Sequence, residues 1–307
     1  MKLKNSHLIA AVVILLCLYI LSFIKPAFSA RKPFKTALVN PKYKNEITGF
    51  CLSKGNDSVF LEKKNDFWYV KNSGQSSYIF PADSELIENL IEELIKVRKL
   101  YKISDQVSKN NNFGFEKTSQ FYIKCSYKDT FSEFYFGNYD FSQLFRYFMT
   151  GKNAKVYQID SYFEPYLTAA KSFWTEKTII SKKLLNISSS QDIQSIVING
   201  RKITASSSDT SFASYTQSLL ELRHGGMLDE SIKGEDLSKL FSQSAEAEIF
   251  LELGNKKMLS LKVYKSPEEN AVENQYVLLV NYENPDIRTV CKISGWTLSK
   301  MLDYKIN

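Results

Sequence analysis

Few residues in this chain are of a type that could do chemistry. A nucleophilic Ser-His-Asp or Cys-His site needs an imidazole, and beyond the first few residues the sequence holds only His224. It precedes Gly225-Gly226 at the expected end of a helix, where it reads as a cap on the last carbonyls or as plainly exposed. Cys51, Cys125 and Cys291 have no zinc-like or redox-like spacing and cannot all pair within one chain, so they read as buried free thiols. Cys17 sits inside an apolar run that continues to Ile24, and the bulky Leu16 before it argues against lipid attachment. Asp229-Glu230 and Glu268-Glu269 are acidic pairs in turn-like sequence and read as solvated surface. No metal-ligand cluster and no glycine-rich phosphate loop is legible, so no cofactor is expected. The one enzymatic alternative is a carboxylate-only hydrolase, whose acids can converge from distant positions.

Another feature is physical rather than chemical. In residues 131–148, nine of eighteen positions are Phe or Tyr. Phe134 and Phe136 alternate with Tyr135, so a strand here would be aromatic on both faces. It is either a central strand covered on both sides or a partly exposed surface that grips an envelope protein or a membrane edge. On the second reading Tyr135, Tyr139 and Phe141 form the partner surface. Their replacement by Ser should then weaken partner capture while the fold survives.

The elements that would position such a surface follow from composition and pattern. A chain of 307 residues with 44% hydrophobic and 24% charged residues has room for about two globular domains. Collagenous, disordered and multi-span membrane classes are excluded. The net charge of +7 is local: residues 1–45 hold eight bases and no acid, leaving 32 bases against 33 acids beyond them. A neutral body gives no reason to expect nucleic acid.

Leu8 to Ile24 is a seventeen-residue apolar stretch. As a helix it spans roughly 25 Å, slightly less than a ~30 Å hydrocarbon core. Flanking Lys4, His7 and Lys25 could snorkel to cover the deficit. The expectation is a transmembrane anchor within 1–30, with a cleaved signal peptide ending near Ala27-Phe28-Ser29 as the competitor. Flanking charge alone slightly favours a cytoplasmic body, whereas the signal-anchor layout favours export. The expected location is the bacterial inner membrane with the body on the periplasmic side. Residues 31–45, basic and punctuated by Pro33 and Pro41, read as a linker.

The body reads as α+β. A hairpin is predicted over Phe60 to Val70 around Lys63-Lys64-Asn65-Asp66. Asp83 should cap a helix with Leu86, Leu90, Ile91, Leu94, Val97 and Tyr101 on one face. Phe121 to Phe136 splits into two strands at Lys128-Asp129, and Val156 to Ile159 is another strand. Ile196 to Ile203 is a hairpin around Asn199-Gly200, a pair suited to the positive φ angles of a type I′ turn. A helix from about Ser211, a hairpin over Ile249 to Val263, strands at Tyr276–Tyr282 and Thr289–Ile293 and a closing Trp296–Tyr304 helix complete the chain. Leu94–Arg98 aligns with Leu219–Arg223, and Val156–Tyr162 with Val290–Trp296. The expected architecture is therefore two tandem related units, 46–185 and 186–307, each an antiparallel sheet with a covering helix.

These elements resemble a bacterial family of membrane-anchored domains of unknown function, the DUF4340 type. The likeness rests on Phe67-Trp68-Tyr69-Val70, Ala82-Asp83, Phe113-Gly114-Phe115, Phe136-Gly137-Asn138, Arg146-Tyr147-Phe148 and Val156-Tyr157. Phe115 stands where the family has Leu, and the proline usual after that step is replaced by Glu116-Lys117-Thr118. The resemblance implies an envelope protein, often encoded beside transporters similar to gliding-motility ATP-binding-cassette systems, and implies no activity. The expected function is a non-enzymatic, single-pass accessory component with a protein partner, a transporter subunit in the first instance. The alternative is a periplasmic sensing module that closes on a small molecule or glycan between its two units.

Overall fold

The structure, a computed structural model, describes residues 12–16, 19, 33–71, 78–107, 113–151, 153–204, 210–228, 234–254, 257–267, 276–282 and 287–304. Of the apolar stretch Leu8 to Ile24, residues 12–16 and 19 are helical, and the rest lies outside the described residues. Among the described residues no helix is long and apolar enough to cross a membrane. The acidic pairs Asp229-Glu230 and Glu268-Glu269, and Cys17, also lie outside them.

The protein is mostly β, with two antiparallel sheets and a few helices. The first sheet is built from β1 (Phe34–Thr36), β2 (Ile47–Lys54), β3 (Asp57–Lys64), β4 (Phe67–Lys71) and β5 (Phe80–Pro81). After helix α1 (Ser84–Ile95) come β6 (Arg98–Ser104), β7 (Phe121–Tyr127), β8 (Thr130–Tyr139), β9 (Phe145–Thr150) and β10 (Asn153–Asp160). Its spatial order is β1-β6-β10-β9-β8-β7-β2-β3-β4-β5. The second sheet holds β11 (Ile193–Ile198), β12 (Arg201–Thr204), β13 (Gly226–Met227), β14 (Ala247–Leu253), β15 (Met258–Lys265), β16 (Tyr276–Tyr282) and β17 (Arg288–Ile293). Helices α2 (Thr210–Glu221), α3 (Gly234–Phe241) and α4 (Gly295–Leu302) accompany it, and its order is β12-β11-β14-β15-β16-β17-β13.

Local chemistry explains the turns. Asn65 and Asp66 join β3 to β4 with φ of 50° and 66°, and Asn199 and Gly200 join β11 to β12 with φ of 48° and 83°. Both are two-residue turns with left-handed φ at each position, a geometry that matches the right-handed twist of the strands they connect. The Asp83 carboxylate accepts the Leu86 N–H at 3.1 Å and opens α1. Asp83→Ala should therefore cost about 1 kcal/mol of unfolding free energy in a denaturant titration. The helix lays Ile87, Leu90, Ile91 and Leu94 on the first sheet, against Phe50, Leu52, Val59 and Leu61. It stops at Ile95, earlier than its periodicity predicts. Val97 is exposed, and Tyr101 belongs to β6, where its ring meets Phe145 edge-on at 5.8 Å. The backbone turns there because Arg98 to Ser104 pair with β10 and β1.

The second sheet is covered on both faces. Helix α2 contributes Phe212, Tyr215, Leu219 and Leu220 to one core, which also holds Leu278, Val280 and Tyr282 of β16. Helix α3 puts Leu237 and Leu240 on the opposite face, over Val277 and Leu279. The β16 run is thus apolar at nearly every position because neither of its faces meets water.

Seven strands recur in the same spatial order. The series β12-β11-β14-β15-β16-β17-β13 parallels β3-β2-β7-β8-β9-β10-β6, and in both a helix precedes the last strand of the series, β13 or β6. The aligned stretches fall on matching elements: Leu94 and Leu219 close helices, and Val156 and Val290 lie in the strands β10 and β17. Thr36 pairs with Arg98, and Thr178 with Arg223. Strands β4 and β5 have no counterpart in the second sheet, and β13 is only two residues long. The boundary expected at 185/186 falls inside a segment, Ile179 to Ile187, whose apolar residues pack on the second core.

The segment between the sheets is stitched to both. Asp83 N–H donates to Trp174 O at 2.8 Å and Glu176 N–H to Pro81 O at 2.9 Å, while Ile179 N–H donates to Leu222 O at 2.9 Å. Ile79 N–H reaches Arg288 O at 3.0 Å, and the Thr289 hydroxyl returns to Ile79 O at 3.0 Å. Tyr69 of β4 packs in the second core, and Met227 of β13 packs against the first.

Candidate functional site

The aromatic stretch divides by face. Phe134, Phe136 and Phe148 point into the first core, where the Phe136 ring lies 5.2 Å from Phe148 and 5.3 Å from Phe163. Tyr135 faces the other way, half-buried, with its ring 5.1 Å from that of Tyr122 across the β7–β8 pair. The Tyr122 hydroxyl donates to Glu133 at 2.7 Å, and burial together with that carboxylate raises its pKa. Tyr135 is therefore part of a packed outer row rather than a free contact. Tyr135→Ser should cost about 1–2 kcal/mol, read as a lowered Tm.

Tyr139 and Phe141 lie at one end of the sheet, where β8 turns into β9. The turn is well braced. Asp140 accepts the Ser142 hydroxyl at 2.8 Å and the Gln158 amide at 2.9 Å, and Gln143 takes a left-handed φ of 59°. The Arg146 guanidinium lies 4.2 Å from the Tyr139 ring centre and grips Glu164 with two hydrogen bonds of 2.7 and 2.8 Å. That pairing offsets burial and holds the Glu164 carboxyl below its ordinary pKa. On this frame Phe141 is wholly exposed, at 106%, and Leu144 is 66% exposed.

Two further apolar residues share this end. Strands β6, β10, β9 and β8 are consecutive neighbours, and each is antiparallel to the next. Val97 therefore precedes β6, Tyr162 follows β10, and Phe141 and Leu144 join β8 to β9, all at the same end. Val97 is 63% and Tyr162 64% exposed. Exposed apolar residues gathered on one rim are uncommon on a surface that only meets water. Sequence reading missed Val97, Leu144 and Tyr162 because they gather only after strand pairing. β1 runs parallel to β10, so the chain enters the sheet heading toward this rim.

His224 does not cap a helix. Its backbone N–H pairs with Lys177 O at 3.2 Å and its Nε2 meets Glu176 O at 2.8 Å, so the ring bridges the segment between the sheets. Nδ1 is buried without a partner, and burial, with Lys177 nearby, lowers the imidazole pKa. Protonation would strand a buried N–H. The neighbouring Glu176 carboxylate accepts the Thr178 hydroxyl at 2.9 Å, and burial, with Asp83 nearby, raises its pKa.

The two groups act in opposite directions. Stability from His224 is complete above its unfolded value of 6.5 and is lost as pH falls through the lower folded value. Stability from Glu176 is complete below its unfolded value of 4.5 and is lost as pH rises through the raised folded value. On acidification below about pH 6.5 the His224 contribution lowers melting temperature, and His224→Gln should reduce that part of the loss.

Two cavities lie where the units meet. One, of about 580 Å³, has Phe67 and Trp68 among its apolar lining and Lys44, Lys63, Glu88 and Lys183 among its charged residues. The other, of about 980 Å³, lies between the β2–β3 turn, residues 167–172 and the β13 edge. Among the described residues no group of three His, Cys, Asp or Glu is placed to hold a metal ion. Cys125 and Cys291 are buried free thiols pushed up to about 12 by burial, and so unreactive; Cys51 is free and half-buried.

What these features define is a two-sheet α+β protein with a braced apolar rim. Residues 68–211 match the family described as "Domain of unknown function (DUF4340)", which shows the resemblance read from the motifs. The match begins and ends later than the 46–185 stretch expected for it, running from β4 into the start of α2. A curated relative from Treponema pallidum (strain Nichols), described as an "Uncharacterized protein", is 24% identical over 213 residues, covering 67% of this chain. The match spans 65% of that relative, less than two thirds of its length. No solved structure matches.

Proposed function

We propose that this protein is a non-enzymatic envelope component, tethered to the bacterial inner membrane by Leu8 to Ile24, whose body docks onto a protein partner. The partner expected is a subunit of an ATP-binding-cassette transporter complex. The carrying observation is the rim of Phe141, Leu144, Tyr162 and Val97, held out on a rigid turn. The recurring strand order supports reading the body as two tandem related units, the second opening near Glu176. The hydrogen bonds that cross the junction, Ile79 N–H to Arg288 O, the Thr289 hydroxyl to Ile79 O and Glu176 N–H to Pro81 O, favour a fixed platform over a module that closes on a ligand.

The test is co-purification of the full-length protein from membranes in mild detergent, combined with protease access to a C-terminal tag in intact and permeabilised cells. Recovery of a transporter subunit with a tag outside the cytoplasm supports the reading. A protein recovered alone, or a tag inside the cytoplasm, overturns it.

A further inference from the structure

We infer that the smaller cavity at the junction is a binding site for a short zwitterionic peptide with apolar side chains. Its volume of about 580 Å³ lies within the range of small-molecule sites. Its floor is apolar. Ile47, Trp68 and Ile91 from the first sheet and its helix, and Ile187 from the segment packed on the second core, are all buried. The charges around this floor are divided between two walls. One wall, from the first sheet and its flanking helices, carries all three acids of the lining, Asp66, Glu88 and Glu92, together with Lys44 and Lys63. The other is the helical turn Lys182–Leu185, which contributes Lys182 and Lys183 and no acid.

Ion pairing within the first wall sorts these groups. Lys44 pairs with Glu92, and Lys63 with Asp66 at 3.8 Å, so Glu88 is the lining acid that has no ion pair among the described residues. Lys182 and Lys183 form none either, although Lys183 acts electrostatically on the buried Glu176 carboxyl. A ligand lying across the floor therefore meets a carboxylate at one end and ammonium groups at the other. The termini of a short peptide are the complement: its ammonium faces Glu88 and its carboxylate faces the two lysines. Each such contact is a charge-assisted hydrogen bond, stronger than a neutral one. Apolar side chains then cover the floor, and Asn45, Ser84 and Asn186 offer amide and hydroxyl groups to the peptide bond. A phosphate would face Glu88, and a neutral glycan would leave the charges of both walls unused. No closure is needed, because the hydrogen bonds across the junction already hold the two walls together.

The test is titration calorimetry of the full-length protein in detergent with dileucine, N-acetyl-dileucine, dileucine amide and diglycine. Dileucine should bind. Blocking either terminus should weaken binding about tenfold, the effect of one charge-assisted hydrogen bond. Diglycine, which has no side chains to cover the floor, should not bind. Glu88→Gln should weaken dileucine about tenfold and leave N-acetyl-dileucine unchanged, because that probe has no ammonium. Lys182→Gln combined with Lys183→Gln should weaken dileucine to a similar extent and leave dileucine amide unchanged. Matching each variant to one blocked probe separates recognition of the termini from a general loss of fold. No binding of dileucine, equal binding of all four probes, or variants that weaken every probe alike overturns the inference. The rim residues Phe141 and Leu144 take no part in this lining, so partner capture can fail while peptide binding stands, and the reverse.

Discussion

Arg98→Met should lower the unfolding free energy by about 3 kcal/mol, the largest effect expected from a single charged residue here. Arg98 is 4% exposed, and its guanidinium joins three elements. It pairs with Glu93 near the end of α1 and with Asp160 at the end of β10, and donates to Glu93 O at 3.2 Å. Its charge also lies 4.5 Å from the centre of the Phe163 ring. Burial lowers its pKa, and Asp160 opposes that by favouring the charged form. Methionine keeps the aliphatic stem but leaves Glu93 with only Lys96, at 3.7 Å, and Asp160 without its cation. Both carboxylates are partly hydrated, at 21% and 28% side-chain exposure. The loss therefore sits at the low end of the ~3–5 kcal/mol seen when one partner of a fully buried pair is removed. Arg223 occupies the matching position in the second sheet but is exposed, so Arg223→Met should change stability by only about 0.5 kcal/mol. Parallel denaturant titrations of the two variants provide the comparison. Equal effects would show that the Arg98 network contributes nothing beyond its position.

The second large effect concerns function rather than stability. The double variant Phe141→Ser with Leu144→Ser should abolish capture of the partner from membranes while leaving Tm nearly unchanged. Neither side chain is packed in the free protein, so folding has little to lose. Two apolar anchors at the centre of an interface are each worth roughly 2 kcal/mol, and together about a thousandfold in affinity. Tyr135→Ser serves as the contrast, because it should cost stability through its ring contact with Tyr122. A double variant that still captures the partner would remove the rim from the account.

The parts of this fold legible in the sequence are those set by short-range chemistry. Asn199-Gly200 reads as a turn because both positions need left-handed φ, and Asp83 reads as a cap because its carboxylate can reach an N–H three residues on. Alternation in β14 and the unbroken apolar run of β16 report one covered face and two. Long-range pairing is what stays hidden. Val97 and Tyr101 continue the spacing of α1, yet β6 claims the chain from Arg98 onward.

The candidate surface shows the same limit. Phe141 is exposed, Tyr139 is half engaged by Arg146, and Tyr135 is packed. A dense aromatic run signals that something is buried or gripped, but strand register decides which residues do each. The bridging role of His224 depends on Glu176, forty-eight residues away, and no local pattern reports it.

The most direct measurement places a photo-crosslinking residue at position 141 of the full-length protein in native membranes, with position 128 as control. Lys128 is exposed in the β7–β8 turn, at the other end of the same sheet. Irradiation at 141 should yield one discrete protein adduct, identified by mass spectrometry as a membrane transport component, and irradiation at 128 should not. Adducts confined to lipid, or equal labelling from both ends, would contradict a sheet that offers its rim to a protein.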